Sequence, residues 1–511
     1  MSPSRGVRWA VASAVGISLI IAFALPASAG HRATIPIDLA DDAPSVVVPT
    51  SPVGTQLTWL LGVGSRLPLS SKEEADHFDA GFVAAEPVAK LNGALASLGS
   101  TGSKVTLLQL SDVSSDALTA EVKIGAITFN LQLSVDPTGL IEGLYFSVAA
   151  PIPIPKVSSW TQVDKDLKKM APRASFLAAR LDANGTCTKV RALKANTPRP
   201  LGSMFKLFVL GALANAVKDH LISWDQRVTV TGAVKVGGSG VLQYDRDGTT
   251  LTVEQTALQM ISESDNTAAD ILLNLVGRSA VSAQVRSWSS HASLDAPFLS
   301  VAEMFVLKWH DFPALAEHYL SLTPAKRLGY LTATIDKVPD SAITASNSPR
   351  DINSIEWFAS PNDICRAFAG LRTLASEPGL GPLDTILSTN NGGIELSAST
   401  WPVIWFKGGS EPGVLTLGYL ARDSSGKTYV VVMMLDNATK PIAPSATLTG
   451  LGVITGAFNL VRSANTPSRS VVAGLRQLAR TPARTILAYG PVDLLRDHLP
   501  RWLYRRRRGQ L

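Results

Sequence analysis

The chain has 511 residues, 46% apolar and 17% charged, which excludes a disordered chain and exceeds one ordinary domain. Its net charge of +6 is localised: residues 466–511 hold ten Arg against Asp493 and Asp497, a local +8, so the rest of the chain carries −2. No basic body exists for nucleic acid to engage. The Arg-rich tail, 464–511, reads as a solvated terminus able to touch an anionic surface.

The N-terminus carries Arg5 and Arg8, an apolar run over 11–25, and then Ala27-Ser28-Ala29. A positive start, a short apolar core and a small-x-small site predict a signal peptide, 1–29, and export; the run is short for a spanning helix. No cysteine near the cleavage site offers a lipid anchor. Residues 30–65, rich in Pro, Ser, Thr and Asp at their start, predict an extended leader. Ser70 with Glu73 forms a capping box, so a helix begins there and runs on with a break near Pro87. Strand-like segments follow at 104–110, 118–124, 126–135 and 140–148, with Asp136-Pro137-Thr138-Gly139 as a turn. Together 66–150 make a small α+β domain, and Pro-Ile-Pro-Ile-Pro opens a stiff linker, 151–157.

A second domain, 158–463, begins with a helix to 170 and a hairpin, 173–182 and 187–193, around Asn184-Gly185. Helices fill most of 201–380. Strands return at 401–407, 414–422 and 427–435, before a closing helix over 444–462. The fold class is α/β (α+β), with one sheet built from both ends of the segment. Cys187 and Cys365 are the two cysteines; in an oxidising compartment they could pair, but their distance in sequence weighs toward free thiols.

Three motifs carry chemistry. Ser203-Met204-Phe205-Lys206 opens an apolar helical run, 207–217, so Lys206 lies one turn from the Ser203 hydroxyl and its stem is buried. Desolvation lowers a lysine pKa and makes it a usable base for a hydroxyl nucleophile. Ser264-Asp265-Asn266 sits between two helix signals and offers a second hydroxyl and an amide. Lys407-Gly408-Gly409-Ser410 ends a strand, with a cation for a substrate carboxylate and glycines for close approach. Ser424-Ser425-Gly426-Lys427 repeats the first spacing but lies in a turn, with no helix to align the pair. Seven histidines show no zinc-protease spacing, so neither metal nor cofactor is expected.

In this order the motifs resemble S-x-x-K, S-D-N and K-T-G of the class A β-lactamase and penicillin-binding protein superfamily. The layout is also similar to the two-domain β-lactamase-like proteins of clavulanic acid gene clusters, whose small N-terminal domain is steroid isomerase- or cyclase-like. The resemblance implies a β-lactamase/transpeptidase-like domain with a five-stranded antiparallel sheet and a helical subdomain. It implies catalysis by Ser203, Lys206 and Ser264, and substrate binding by Asn266, Lys407, Gly408, Gly409 and Ser410. The Ser203 and Ser410 N–H groups would form the oxyanion hole. Two positions depart: Gly408 replaces the family's hydroxyl, and the stretch 294–300 lacks the E-x-x-L-N glutamate that activates water. Glu303, just beyond, reads as a first-turn helix acid. The resemblance implies a monomeric serine hydrolase acting on a β-lactam, an ester or a D-Ala-D-Ala-type cell-wall peptide. Its alternatives are a weakly catalytic penicillin- or peptidoglycan-binding protein and a D-alanyl-D-alanine peptidase.

Overall fold

The structure, a computed structural model, describes residues 46–464 except 87, 98–103, 125–126, 149–153, 340–341, 344–345, 347 and 444. The expected signal peptide, the first part of the leader, the start of the linker and nearly all of the Arg-rich tail lie outside the described residues. The chain divides into one compact unit, 1–461, and a second, 462–511.

Helices α1 (Pro52–Leu61), α2 (Ser71–His77), α3 (Ala80–Ala85) and α4 (Val88–Ser97) come first. Strands β1 (Val105–Ser111), β2 (Ala117–Ile124), β3 (Ile127–Val135) and β4 (Ile141–Val148) follow as an antiparallel meander in chain order. Helix α1 corrects the expected leader. Val53, Leu57 and Leu60 recur on one helical face and bury in the core beneath the meander, and Pro52 starts the helix where its missing N–H is harmless. The Ser70–Glu73 capping box forms, but the helix it opens is divided into three. Phe78 leaves the helix to bridge Ile141, and the Asp79 side chain then caps α3. His77 stacks on Trp59 with ring centroids 3.9 Å apart.

The C-terminal segment continues with α5 (Trp160–Met170), β5 (Arg173–Leu181), β6 (Cys187–Leu193), β7 (Arg199–Pro200) and α6 (Lys206–Lys218). A short pair, β8 (Arg227–Thr229) and β9 (Thr250–Thr252), leads to α7 (Val253–Ser262), α8 (Asn266–Val276) and α9 (Arg278–Trp288). Helices α10 (Val301–Trp309), α11 (Ala314–Ser321) and α12 (Pro324–Ala333) precede β10 (Phe358–Ala359), α13 (Pro361–Ala375) and α14 (Pro382–Ser388). Strands β11 (Val403–Glu411), β12 (Val414–Arg422) and β13 (Thr428–Asp436) and helix α15 (Ser445–Ala464) close the fold.

The five-stranded antiparallel sheet has the order β11-β12-β13-β5-β6, so both ends of the segment supply it. Side chains alternate along its strands with period two. Phe176, Ala178, Tyr429, Val431 and Met433 pack against α5 and α15, whereas Leu177, Ala179, Val430, Val432 and Met434 join the helical body. Strand β11 does not end at Lys407 as expected but runs on to Glu411. Cys187 and Cys365 are disulfide-bonded, against the expectation of free thiols. The cause is tertiary: α13 packs across β5 and β6 and brings the two Cα atoms within 6.4 Å, which a sequence separation of 178 does not reveal.

Candidate active site

Strand β7 feeds a 3-10 turn, Gly202–Phe205, and the turn feeds α6. Ser203 therefore sits at the entrance to a helix whose next residues are buried. Gly202 has φ +51°, and a Cβ there would lie 2.8 Å from the Ser410 N atom. A Cβ on Gly409 would lie 2.6 Å from the Ser203 N atom and 2.2 Å from the Leu201 carbonyl oxygen. Only glycines permit this backbone-on-backbone contact. It brings the amides of Ser203 and Ser410, carried by different elements, to one place.

Lys206 is the hub. Its Nζ donates to Ser203 Oγ at 3.1 Å, Asn266 Oδ1 at 2.8 Å, Ser264 Oγ at 3.4 Å and the Ser264 carbonyl. Lys407 Nζ reaches the same Ser264 hydroxyl at 2.9 Å and the Gly408 carbonyl at 2.8 Å. Ser264 adopts φ +57°, a conformation costly for a residue with a Cβ, and so turns both its hydroxyl and its carbonyl toward the lysines. Asn266 is committed at both ends of its amide, since its Nδ2 donates to the Gly237 carbonyl at 2.9 Å. The structure thus gathers Ser203, Lys206, Ser264, Asn266 and Lys407 into one hydrogen-bonded group, with Gly408, Gly409 and Ser410 on the strand beside it. Ser424 lies in the turn between β12 and β13 and takes no part.

Burial sets the charges. Lys206 is fully buried, and desolvation brings it from 10.5 to about 7, against the opposing pull of Asp265 and Asp270. Burial, and then the charge of Lys206, hold Lys407 well below the ordinary lysine range. Asp265 accepts the backbone N–H groups of Val241, Leu242 and Ala268, and its pKa is nevertheless raised because burial outweighs those bonds. Asp270 accepts Val301 and Ala302 at the start of α10 and is pushed up to about 7, chiefly by burial.

Several groups around the site gave little warning in sequence. Asp270, Lys308 and Glu356 are charged residues inside apolar runs, on α8, on α10 and just before β10, and all three are buried. A lone charge within an apolar run was the available signal. The segment Gly237-Gly238-Ser239-Gly240 is pinned over Asp265 and Asn266. A Cβ on Gly240 would meet the Asp265 carboxylate at 2.2 Å, and Ser239 accepts from Asn266 N. Among the described residues, no group of three or more His, Cys, Asp or Glu is placed to hold a metal ion.

The profile of the family described as "Beta-lactamase enzyme family" matches residues 160–451, more than half of the chain. The chain belongs to the beta-lactamase enzyme family. A second profile, described as "ORF 12 gene product N-terminal", matches residues 48–141. No curated protein matches the sequence. Among solved structures, the beta-lactamase of Sphaerobacter thermophilus DSM 20745 is 20% identical, with 61% of this chain and 100% of that one covered and a TM-score of 0.43. A beta-lactamase from Chitinophaga pinensis DSM 2588 is 18% identical over 60% and 98%, at a TM-score of 0.40. PBP-A is 16% identical over 60% and 98%, at 0.38.

The structure places both departures. At Gly408 a Cβ would come 2.9 Å from the Phe406 ring and 3.1 Å from the Thr416 carbonyl, so the ring of Phe406 takes the space a larger residue would need. In the stretch 294–300, aligning Leu299 with the motif's leucine puts Ala296 at the glutamate position and Ser300 at the asparagine position. The one carboxylate there, Asp295, is buried and accepts Phe358 N–H at 2.7 Å. The segment still lies against the serine turn, since Phe298 packs on Phe205 with ring centroids 5.9 Å apart. Glu303 is a helix acid as expected, completing the Ser300 capping box and pairing with Arg278 at 2.7 Å.

Proposed function

We propose that the chain is an exported, monomeric serine hydrolase acylated on Ser203 by a β-lactam, an ester or a D-Ala-D-Ala-type amide. The observation that carries this reading is the Lys206 hub: a buried amine within hydrogen-bond reach of two serine hydroxyls, with a pKa near about 7. Neutral Lys206 takes the Ser203 proton as Oγ attacks the substrate carbonyl. The Ser203 and Ser410 amides receive the oxyanion. On collapse the bond to the leaving nitrogen or oxygen breaks, and Ser264 passes it a proton drawn from Lys206. This returns the amine to its neutral form and leaves an ester on Ser203.

Lys407 supplies the cation for a substrate carboxylate, which would restore the lysine's charge on arrival. Asn266 grips the substrate by exchanging its bond to Gly237 for one to the ligand. Export rests on the Arg5–Ala29 signature, and N-terminal sequencing of the mature protein tests it. The acylation test is intact-mass spectrometry with a labelled penicillin and an activated ester, for the native chain and Ser203→Ala. No adduct on the native chain with any probe would sink the proposal.

A second reading, a penicillin- or peptidoglycan-binding protein with little turnover, is favoured by one observation. The only carboxylate of 294–300, Asp295, is buried away from solvent water, with one oxygen held by Phe358 N–H. Adducts that persist for hours would support it, and rapid turnover of a chromogenic ester would count against it. Faster reaction with D-Ala-D-Ala peptides than with esters would identify a peptidase.

A further inference from the structure

Behind the serine turn lies a second buried charged group that the acylation chemistry does not use. Strand β10 pairs with β7, with Phe358 opposite Pro200, and Leu201 N donates to the Trp357 carbonyl at 2.9 Å. This register sets Glu356 across from Gly202, the residue before Ser203. Its Oε2 accepts Gly202 N–H at 3.3 Å and Trp357 N–H at 2.7 Å. Its Oε1 is buried and, among the described residues, has no donor directed at it.

Glu411 comes from the other side. It ends β11, one residue beyond Ser410, and accepts Lys308 Nζ at 2.6 Å. Lys308 is fully buried, and the Glu411 side chain is 8% exposed. The two carboxyl groups are within hydrogen-bond contact of each other. Two ionised carboxylates repel at such a contact in a buried site, and one proton between them would remove the repulsion. Glu356 brings one element of the oxyanion hole to this contact, and Glu411 brings the other.

We propose that Glu356 and Glu411 hold one proton between them and, closed by Lys308, form a clasp that positions the Ser203 turn against β11. Two acids, one base and one shared proton leave the cluster neutral. The charged groups facing it are Glu411 from β11 and Lys308 from α10; Asp295, on the segment across β10, bonds Phe358 two residues on. Loss of the proton would leave two carboxylates to one lysine and drive the serine turn away from β11. Glu356 is raised to about 8, by burial first and then by the Glu411 charge, with Lys308 opposing. The clasp therefore opens above that pH. These are positioning residues, and their effect on acylation rests on Ser203 being the nucleophile.

The test compares the full chain with Glu356→Gln and Glu411→Gln, whose amides supply a permanent N–H in place of the shared proton. Acylation rate and melting temperature are followed from about pH 6 to about pH 10. The native chain should lose acylation at least tenfold above about pH 8. Glu356→Gln should be a few-fold slower at neutral pH but lose the alkaline decline. A group held protonated by the fold binds more protons folded than unfolded, so native stability should fall as pH rises toward about 8, and that of Glu356→Gln should not. Glu411→Gln should act in the same sense, which distinguishes a shared proton from a defect specific to one side chain. Equal pH dependence of melting in the native chain and both variants overturns the clasp. Unequal melting with identical acylation profiles overturns its positioning role. Absence of adduct in every protein faults the Ser203 reading instead, and melting alone then decides the clasp.

Discussion

Asn266→Asp is the sharpest test of Lys206 as a base. The change is nearly isosteric and puts a carboxylate 2.8 Å from the lysine Nζ. In the native chain burial takes Lys206 from 10.5 to about 7, a shift of about 5 kcal/mol against the ammonium at about 1.4 kcal/mol per unit. About half of the amine is then neutral at pH 7, where an unperturbed lysine would be about 0.03% neutral. An adjacent carboxylate raises a cation's pKa by about 1–3 units. For a shift of about two, the neutral fraction falls about 100-fold at pH 6 and about 10-fold at pH 8. The assay is the acylation rate of each protein by stopped-flow or quenched mass spectrometry. The variant's deficit should shrink about tenfold across that interval as Lys206 is titrated. Any loss of substrate grip by Asn266 is independent of pH and cancels in this comparison, as does the alkaline decline assigned to Glu356. A deficit that stays constant with pH would refute the proton-accepting role.

Three further outcomes follow from the same structure. Ala296→Glu returns a carboxylate to a half-buried position beside the serine turn, and should shorten the acyl-enzyme lifetime by about 10²-fold, read by intact mass over time. Cys187→Ser should lower stability by about 5 kcal/mol, the loop-closure value for a separation of 178, as a shift in denaturant midpoint; reductant should do the same to the native chain and nothing to the variant. Leu57→Ala should destabilise the N-terminal segment by about 2–5 kcal/mol, because the residue is fully buried, whereas a leader would tolerate it without change.

The sequence made the Ser203–Lys206 pairing and the sheet legible because both rest on local signals. S-x-x-K works through one helical turn, and the strands alternate or run apolar within single segments. The five-stranded sheet from both ends of the domain follows from those strands. What stayed hidden depends on contacts between segments. The α1 helix was masked by the Pro- and Ser-rich residues before it, although Val53, Leu57 and Leu60 already carried its period. The disulfide needed α13 to lie across β6. Glu356 and Glu411 meet only because β7 pairs with β10 and the serine turn rests on β11, and no spacing in the chain records either contact.

Under the proposed chemistry, the arrangement needs no histidine. A buried lysine is normally paired with an acid, and a close carboxylate would keep it charged and useless as a base. Two aspartates are nearby and both raise the Lys206 pKa, yet among the described residues neither forms an ion pair with it. Asp265 spends its oxygens on three backbone N–H groups of the 241–242 segment and α8, and Asp270 on two at the head of α10. The acids hold the helices and the loop around the site, and in doing so are kept off the amine. Asn266, a neutral acceptor, takes the place beside Nζ that a carboxylate would otherwise fill. Desolvation then outweighs the remaining attraction, and Lys206 comes to rest near neutrality. The same logic makes position 266 the most sensitive in the site: one added charge there reverses the balance that burial established.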